Sequence, residues 1–95
     1  MTSKQRAALR GMANTMEPIL FVGKGGLIDT LIKQADDALL ARELVKGKLL
    51  ETAPLSVRDA AARLADATGA AVVQVIGRTF VLYRRNEKKE NGIRI

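Results

Sequence analysis

Ninety-five residues with no cysteine, no histidine and a net charge of +6 exclude disulfides, thiolate or imidazole metal sites, and the usual nucleophilic thiol or neutral-pH base. The length fits one domain, and with Phe21, Phe80 and Tyr83 as the only aromatics its core must be aliphatic. No apolar run approaches the ~18 residues of a membrane span, and the polar, basic start lacks a signal-peptide apolar region, so a cytoplasmic protein is expected.

The charge is unevenly spread. Residues 1–26 carry four basic residues against Glu17, and residues 77–95 carry six against Glu87 and Glu90, while the middle is nearly balanced. An excess confined to the two ends suits a polyanionic partner, although a soluble basic protein with a charged tail has the same composition.

Thr2 and Gln5 have capping-box spacing, so a first helix starts at Thr2. Leu9, Met12, Ala13 and Met16 recur on one helical face, with Lys4, Arg6 and Arg10 mostly off it. Pro18 ends the segment by disfavouring helix at Glu17. Ile19 to Val22 is apolar without alternation, which predicts a strand buried on both faces. Gly23 to Gly26 form a loop, and a second helix is predicted from about Leu27 to Ala41, with Asp29 in its first turn. In "LVKGKLL" (44–50), Val45, Gly47 and Leu49 alternate with Lys46 and Lys48, the pattern of a strand with one wet face. The two lysines are either edge-strand gatekeepers or part of a binding surface.

Ser56 caps a third helix with the stripe Val57, Ala60, Ala61, Leu64 and Thr68, and Gly69 supplies its left-handed end. "AAVVQVIGRTFVLYRR" reads as a hairpin with Gly77-Arg78 in a type II′ turn. That turn pairs Ile76 with Thr79, Val75 with Phe80, Gln74 with Val81, Val73 with Leu82 and Val72 with Tyr83. It puts Val73, Val75, Phe80 and Leu82 on the core face. The opposite face, with Val72, Gln74, Ile76, Val81 and Tyr83, is too apolar to be wholly wet, and partial cover from the first helix is expected. Residues 86–95 read as a basic flexible tail, leaving 1–85 as the domain. The order α-β-α-β-α-β-β predicts a single α/β domain with a four-stranded mixed sheet packed with helices.

The glycine loop decides which anion chemistry is open. A dinucleotide fingerprint needs a sixth-position glycine, where Ile28 stands. A P-loop needs Gly-Lys followed by Ser or Thr, which is absent. What remains is G-x-x-G: Gly23, Lys24, Gly25 and Gly26. Glycines let another backbone lie close, the following helix start suits an anion, and Lys24 adds a point charge. KH domains clamp nucleic-acid backbone with a GxxG loop, but there it joins two helices, whereas here it joins a strand to a helix. A plain turn also accounts for the glycines. Arg78 in the hairpin turn, with Arg84 and Arg85 at its end, forms a second basic group suited to phosphate, although a solvated strand end equally accounts for Arg84 and Arg85.

Taken together, "KQRAALRGMA" (4–13), "FVGKGGL" (21–27), "ALLARELVKGK" (38–48) and "TGAAVVQVIGRTFVLYR" (68–84) resemble the CRM domain family, and within it the single-domain, YhbY-like bacterial RNA-binding proteins. The resemblance implies a fold similar to the C-terminal domain of translation initiation factor three and association with precursors of the large (50S) ribosomal subunit. It implies that Gly23, Lys24, Gly25 and Gly26 contact RNA, with Arg78, Arg84 and Arg85 as the basic hairpin. By charge, Lys4, Arg6, Arg10, Lys46 and Lys48 extend the candidate footprint. Two departures stand out. Gly47 replaces a usual β-branched residue, which predicts a weakened or bulged second strand, and Ile28 replaces the Ser or Thr often found after "GGL", which removes either an N-cap or a phosphate-facing hydroxyl.

The expectation is a non-enzymatic RNA-binding module in ribosome assembly, with ribosomal RNA or a pre-50S particle as partner and no cofactor, metal, membrane or small-molecule substrate. Structured RNA is favoured over a single strand because stacking aromatics are scarce, Tyr83 being the candidate. The alternative is an adaptor docking on a ribosomal protein or assembly factor. An enzyme is disfavoured because Asp29, Asp36, Asp37 and Asp59 read as helix-surface carboxylates.

Overall fold

A computed structural model describes residues 1–88 and 92–94. The capping box forms as the spacing requires: Thr2 accepts from the Gln5 N–H while the Gln5 side chain accepts from the Thr2 N–H. Behind it runs α1, Ser3–Ala13, followed by β1, Leu20–Val22. Next come α2, Asp29–Arg42, and β2, Leu44–Leu49. The chain continues through α3, Val57–Thr68, to the hairpin of β3, Ala71–Ile76, and β4, Thr79–Tyr83. The strand order is β1-β2-β4-β3, with β1 parallel to β2 and the other pairs antiparallel. This is the expected element order and mixed sheet.

The sheet separates two cores. On one face Leu20, Val22, Val45, Leu49, Phe80 and Leu82 pack against α2 and α3 through Leu31, Ala35, Leu39, Ala60, Ala61 and Leu64. On the other, α1 lays Leu9 and Ala13 over Leu44, Val73, Val81 and Tyr83. The first helix therefore covers the second sheet face, as its apolar character demands, but only at the Tyr83 end. Met12, placed on the apolar stripe by its spacing, stays 40% exposed.

Three expectations are corrected. The run Ile19–Val22 is not buried on both faces. β1 is an edge strand beyond the reach of α1, so Phe21 is 50% exposed while Leu20 and Val22 are fully buried. The hairpin keeps the pairs Ile76–Thr79, Val75–Phe80 and Gln74–Val81, but then shifts: Val72 pairs with Leu82 and Ala71 with Tyr83. Val73 is the extra residue of a β-bulge. It turns to the α1 side, and Val72 takes its place over α2 and α3. Finally, β2 stays regular through Gly47, and it is an interior strand, so Lys46 and Lys48 are not edge gatekeepers.

Gly47 has a packing reason. It lies opposite Phe80, and a Cβ there would stand 2.2 Å from the ring's Cζ. The phenyl ring fills the space of the missing side chain, and this aromatic-over-glycine pairing restores the packing that a strand glycine loses.

Candidate nucleic-acid interface

The GKGG segment is a one-turn reversal directly after β1. The Gly26 N–H donates to the Gly23 carbonyl at 3.0 Å, closing a β-turn over the four residues. Gly26 has φ +67°, the left-handed region, and Pro54 lies 3.3 Å from where its Cβ would be. Glycine is thus required there by backbone and by space. Gly25 and Lys24 at the tip are exposed. α2 begins two residues later than its pattern suggests, and its cap, Ile28, makes no side-chain cap bond. The missing hydroxyl at position 28 is visible in the structure as an uncapped helix start.

Eight of the twelve candidate residues fall into two groups at opposite ends of the sheet, while Lys4, Arg6 and Arg10 lie on α1 and Lys46 in the middle of β2. At one end lie the GKGG turn, Lys48 and Arg78. Arg78 occupies the β3–β4 turn, and its carbonyl accepts the Leu49 N–H at 2.7 Å, which brings the hairpin turn beside the end of β2. Only Gly77 has a positive φ in that turn, the sign pattern of type II′. Arg84 and Arg85 lie beyond Tyr83 at the other end, roughly 20 Å from Arg78 along β4 at ~3.3 Å per residue.

Several of these cations already have protein partners. The Arg84 guanidinium donates to the Asp36 carboxylate at 2.5 Å, to the Asp36 carbonyl at 3.1 Å and to the Thr68 carbonyl at 2.7 Å. It ties α2 to the C-terminus of α3. Arg6 donates to the carbonyls of Val72 and Val73, at the bulge. Lys46 is half-buried, and its ammonium donates to the Ala13 carbonyl at the end of α1. Lys4, Arg10, Lys24, Lys48, Arg78 and Arg85 are exposed.

Two residues escaped the sequence reading. Glu43 is 1% exposed and adopts φ 64°, ψ −45°, where side-chain-bearing residues are strained. Its carboxylate accepts the N–H of Asn86 at 2.9 Å and of Ile93 at 2.7 Å, and its carbonyl accepts the N–H of Arg84. The segment after residue 85, expected as a tail, thus returns to the domain at Asn86 and Ile93 among the described residues. Residues 89–91 and 95 of that segment lie outside the described residues. The second is Phe21, the exposed aromatic, whose apolar neighbours hid its edge position. Tyr83, the expected stacker, is 8% exposed beneath α1. Burial, and then the Glu43 carboxylate, raise its phenol above the usual 10.0, with Arg85 opposing.

The family model of the CRS1/YhbY (CRM) domain matches residues 1–84. The chain belongs to this family. Among CRS1/YhbY relatives, the chain is 44% identical over 91 residues to the probable RNA-binding protein YqeI of Bacillus subtilis, covering 96% of this chain and 93% of that protein. An RNA-binding protein of Haemophilus influenzae is 33% identical, with 93% and 89% covered. The solution structure of SAV1595 from Staphylococcus aureus, for which RNA binding has been suggested, superposes with a TM-score of 0.79 at 42% identity, covering 96% of this chain and 93% of that one. The CRM resemblance and the α/β fold read from the sequence both hold. Among the described residues, no helix is long and apolar enough to cross a membrane.

Proposed function

We propose that the chain is a non-catalytic, cytoplasmic RNA-binding protein that holds ribosomal RNA or a precursor of the large ribosomal subunit. The observation that carries this reading is the exposed Lys24-Gly25 tip of the GKGG turn at the same sheet end as Lys48 and Arg78. Gly25 at the tip lets an RNA backbone approach closely, Gly26 being buried against Pro54 and Gly23 half-buried, and three cations at this end neutralise phosphates. The RNA-binding names of its relatives support the same reading.

Lys24→Ala with Gly25→Asp tests it. A Cβ at Gly25 would meet only the Ile28 side chain, at 3.3 Å, and Gly25 is not among the positive-φ glycines, so the fold tolerates the change. RNA affinity falls and its log–log salt slope becomes shallower by roughly 0.7–0.9 per lost phosphate contact. Unchanged affinity in a folded variant reduces the loop to a turn. Crosslinking in cells, followed by sequencing of the attached RNA, names the partner. Association with a ribosomal protein that persists at high salt after RNA removal points instead to an adaptor.

A further inference from the structure

The sheet face that α1 half covers has an open end with a distinct composition. In register across all four strands, Phe21 of β1 stands beside Lys48 of β2, Lys48 beside Thr79 of β4, and Thr79 beside Ile76 of β3. Phe21 is 50% and Ile76 60% exposed, and Lys48 between them is exposed. The two turns bounding this end carry Lys24 and Arg78. An open phenyl ring with three cations around it matches the two parts of a nucleotide, a base with a π-face and a phosphate. A second copy of the chain fits poorly, because a two-fold contact over this row would bury Lys48 and Arg78 of both copies together with no carboxylate in the row to pair them.

We propose that this open half of the sheet takes an unpaired nucleotide of RNA, its base stacked on Phe21 and its flanking phosphates on Lys48, Lys24 and Arg78. The proposal rests on the RNA reading above and adds to it a stacking platform outside the glycine turn. It also changes the form of RNA recognised: a bulge, loop or single-stranded end beside any structured part.

Fluorescence anisotropy tests this with a labelled twelve-nucleotide single-stranded RNA and an abasic ribose-phosphate oligomer of equal length. The proteins are wild type, Phe21→Leu, Phe21→Tyr, and Lys24→Ala with Gly25→Asp. Phe21→Leu keeps an apolar side chain on an exposed site, so the fold is retained. It weakens RNA binding about 10-fold, with an unchanged salt slope. Phe21→Tyr restores affinity, and the abasic oligomer does not distinguish Phe21→Leu from wild type. If Phe21→Leu binds RNA as wild type does while the turn variant is weakened, the stacking site is overturned and the RNA reading stands. Wild type without affinity for the twelve-nucleotide RNA overturns the stacking site, and the RNA reading is then decided separately by the turn variant against structured RNA. A wild-type dimer in sedimentation that Phe21→Leu dissociates, with RNA affinity unchanged, gives the face to a second copy and overturns the proposal.

Discussion

Gly47→Ala adds one methyl group where the Phe80 ring already lies. The new carbon would stand 2.2 Å from Cζ and 2.6 and 2.8 Å from the two Cε atoms. Carbon atoms rest at about 3.5–4.0 Å, so the ring must retreat by more than ~1 Å. It has nowhere to go: Phe80, Leu39, Ala60 and Leu64 in this core are all 0% exposed. Overpacking of this kind costs ~1–3 kcal/mol, and relief of the strand glycine's entropy returns about 0.5–1 kcal/mol. With a clash this deep the upper end applies, and the net loss is about 2 kcal/mol, or roughly 8–16 °C in Tm for a domain of this size. The three clashing ring atoms are those that leucine lacks. In the Phe80→Leu background, Gly47→Ala therefore costs nothing, and the double-mutant cycle shows a coupling of at least ~1.5 kcal/mol. Urea denaturation followed by far-ultraviolet circular dichroism measures all four proteins. Gly47→Ala within ~0.5 kcal/mol of wild type, or an additive cycle, refutes the packing account.

Arg84→Ala lowers stability by about 1–2 kcal/mol, because the Thr68 and Asp36 carbonyls lose their donor, while the exposed Asp36 carboxylate adds little. Arg85→Ala leaves the urea midpoint unchanged, which separates the two neighbours that charge alone cannot distinguish. Glu43→Ala costs about 2–3 kcal/mol, because the Asn86 and Ile93 amides lose their charge-assisted bonds, and hydrogen exchange at those amides accelerates. Because the Tyr83 phenol is raised in the folded chain, the unfolded chain loses its proton first, so stability falls as pH rises through about 10. Tyr83→Phe shows a flatter loss than wild type over the same range in pH-dependent urea melts.

The elements were legible because local rules carried them. The Thr2–Gln5 box, the Ser56 cap, the left-handed Gly69 and the Gly77 turn each need only a few neighbouring residues. What escaped depends on contacts far apart in the chain. The bulge at Val73 leaves no signature in a run of valines, since either neighbour can face either core. Phe21 looked like core because its strand is apolar, and only the strand order shows that β1 is an edge. Gly47 read as a weakness because its partner, Phe80, is 33 positions away in sequence. Among the site residues, charge located the cations but could not show which already had partners. Arg84 and Arg6 are held by carbonyls of other elements, whereas Lys24, Lys48 and Arg78 remain on the surface.

The bulge also bears on how the sheet ends. A four-stranded open sheet has two rims with unpaired backbone groups, each a template for a neighbouring chain. One rim, β1, is only three residues long. The other, β3, is kinked at Val73, and Arg6 takes the carbonyls of Val72 and Val73 on either side of the kink. Neither rim offers a straight ladder long enough to start growth. The domain thus carries its protection against self-polymerisation in one short strand, one extra valine and the guanidinium that holds it.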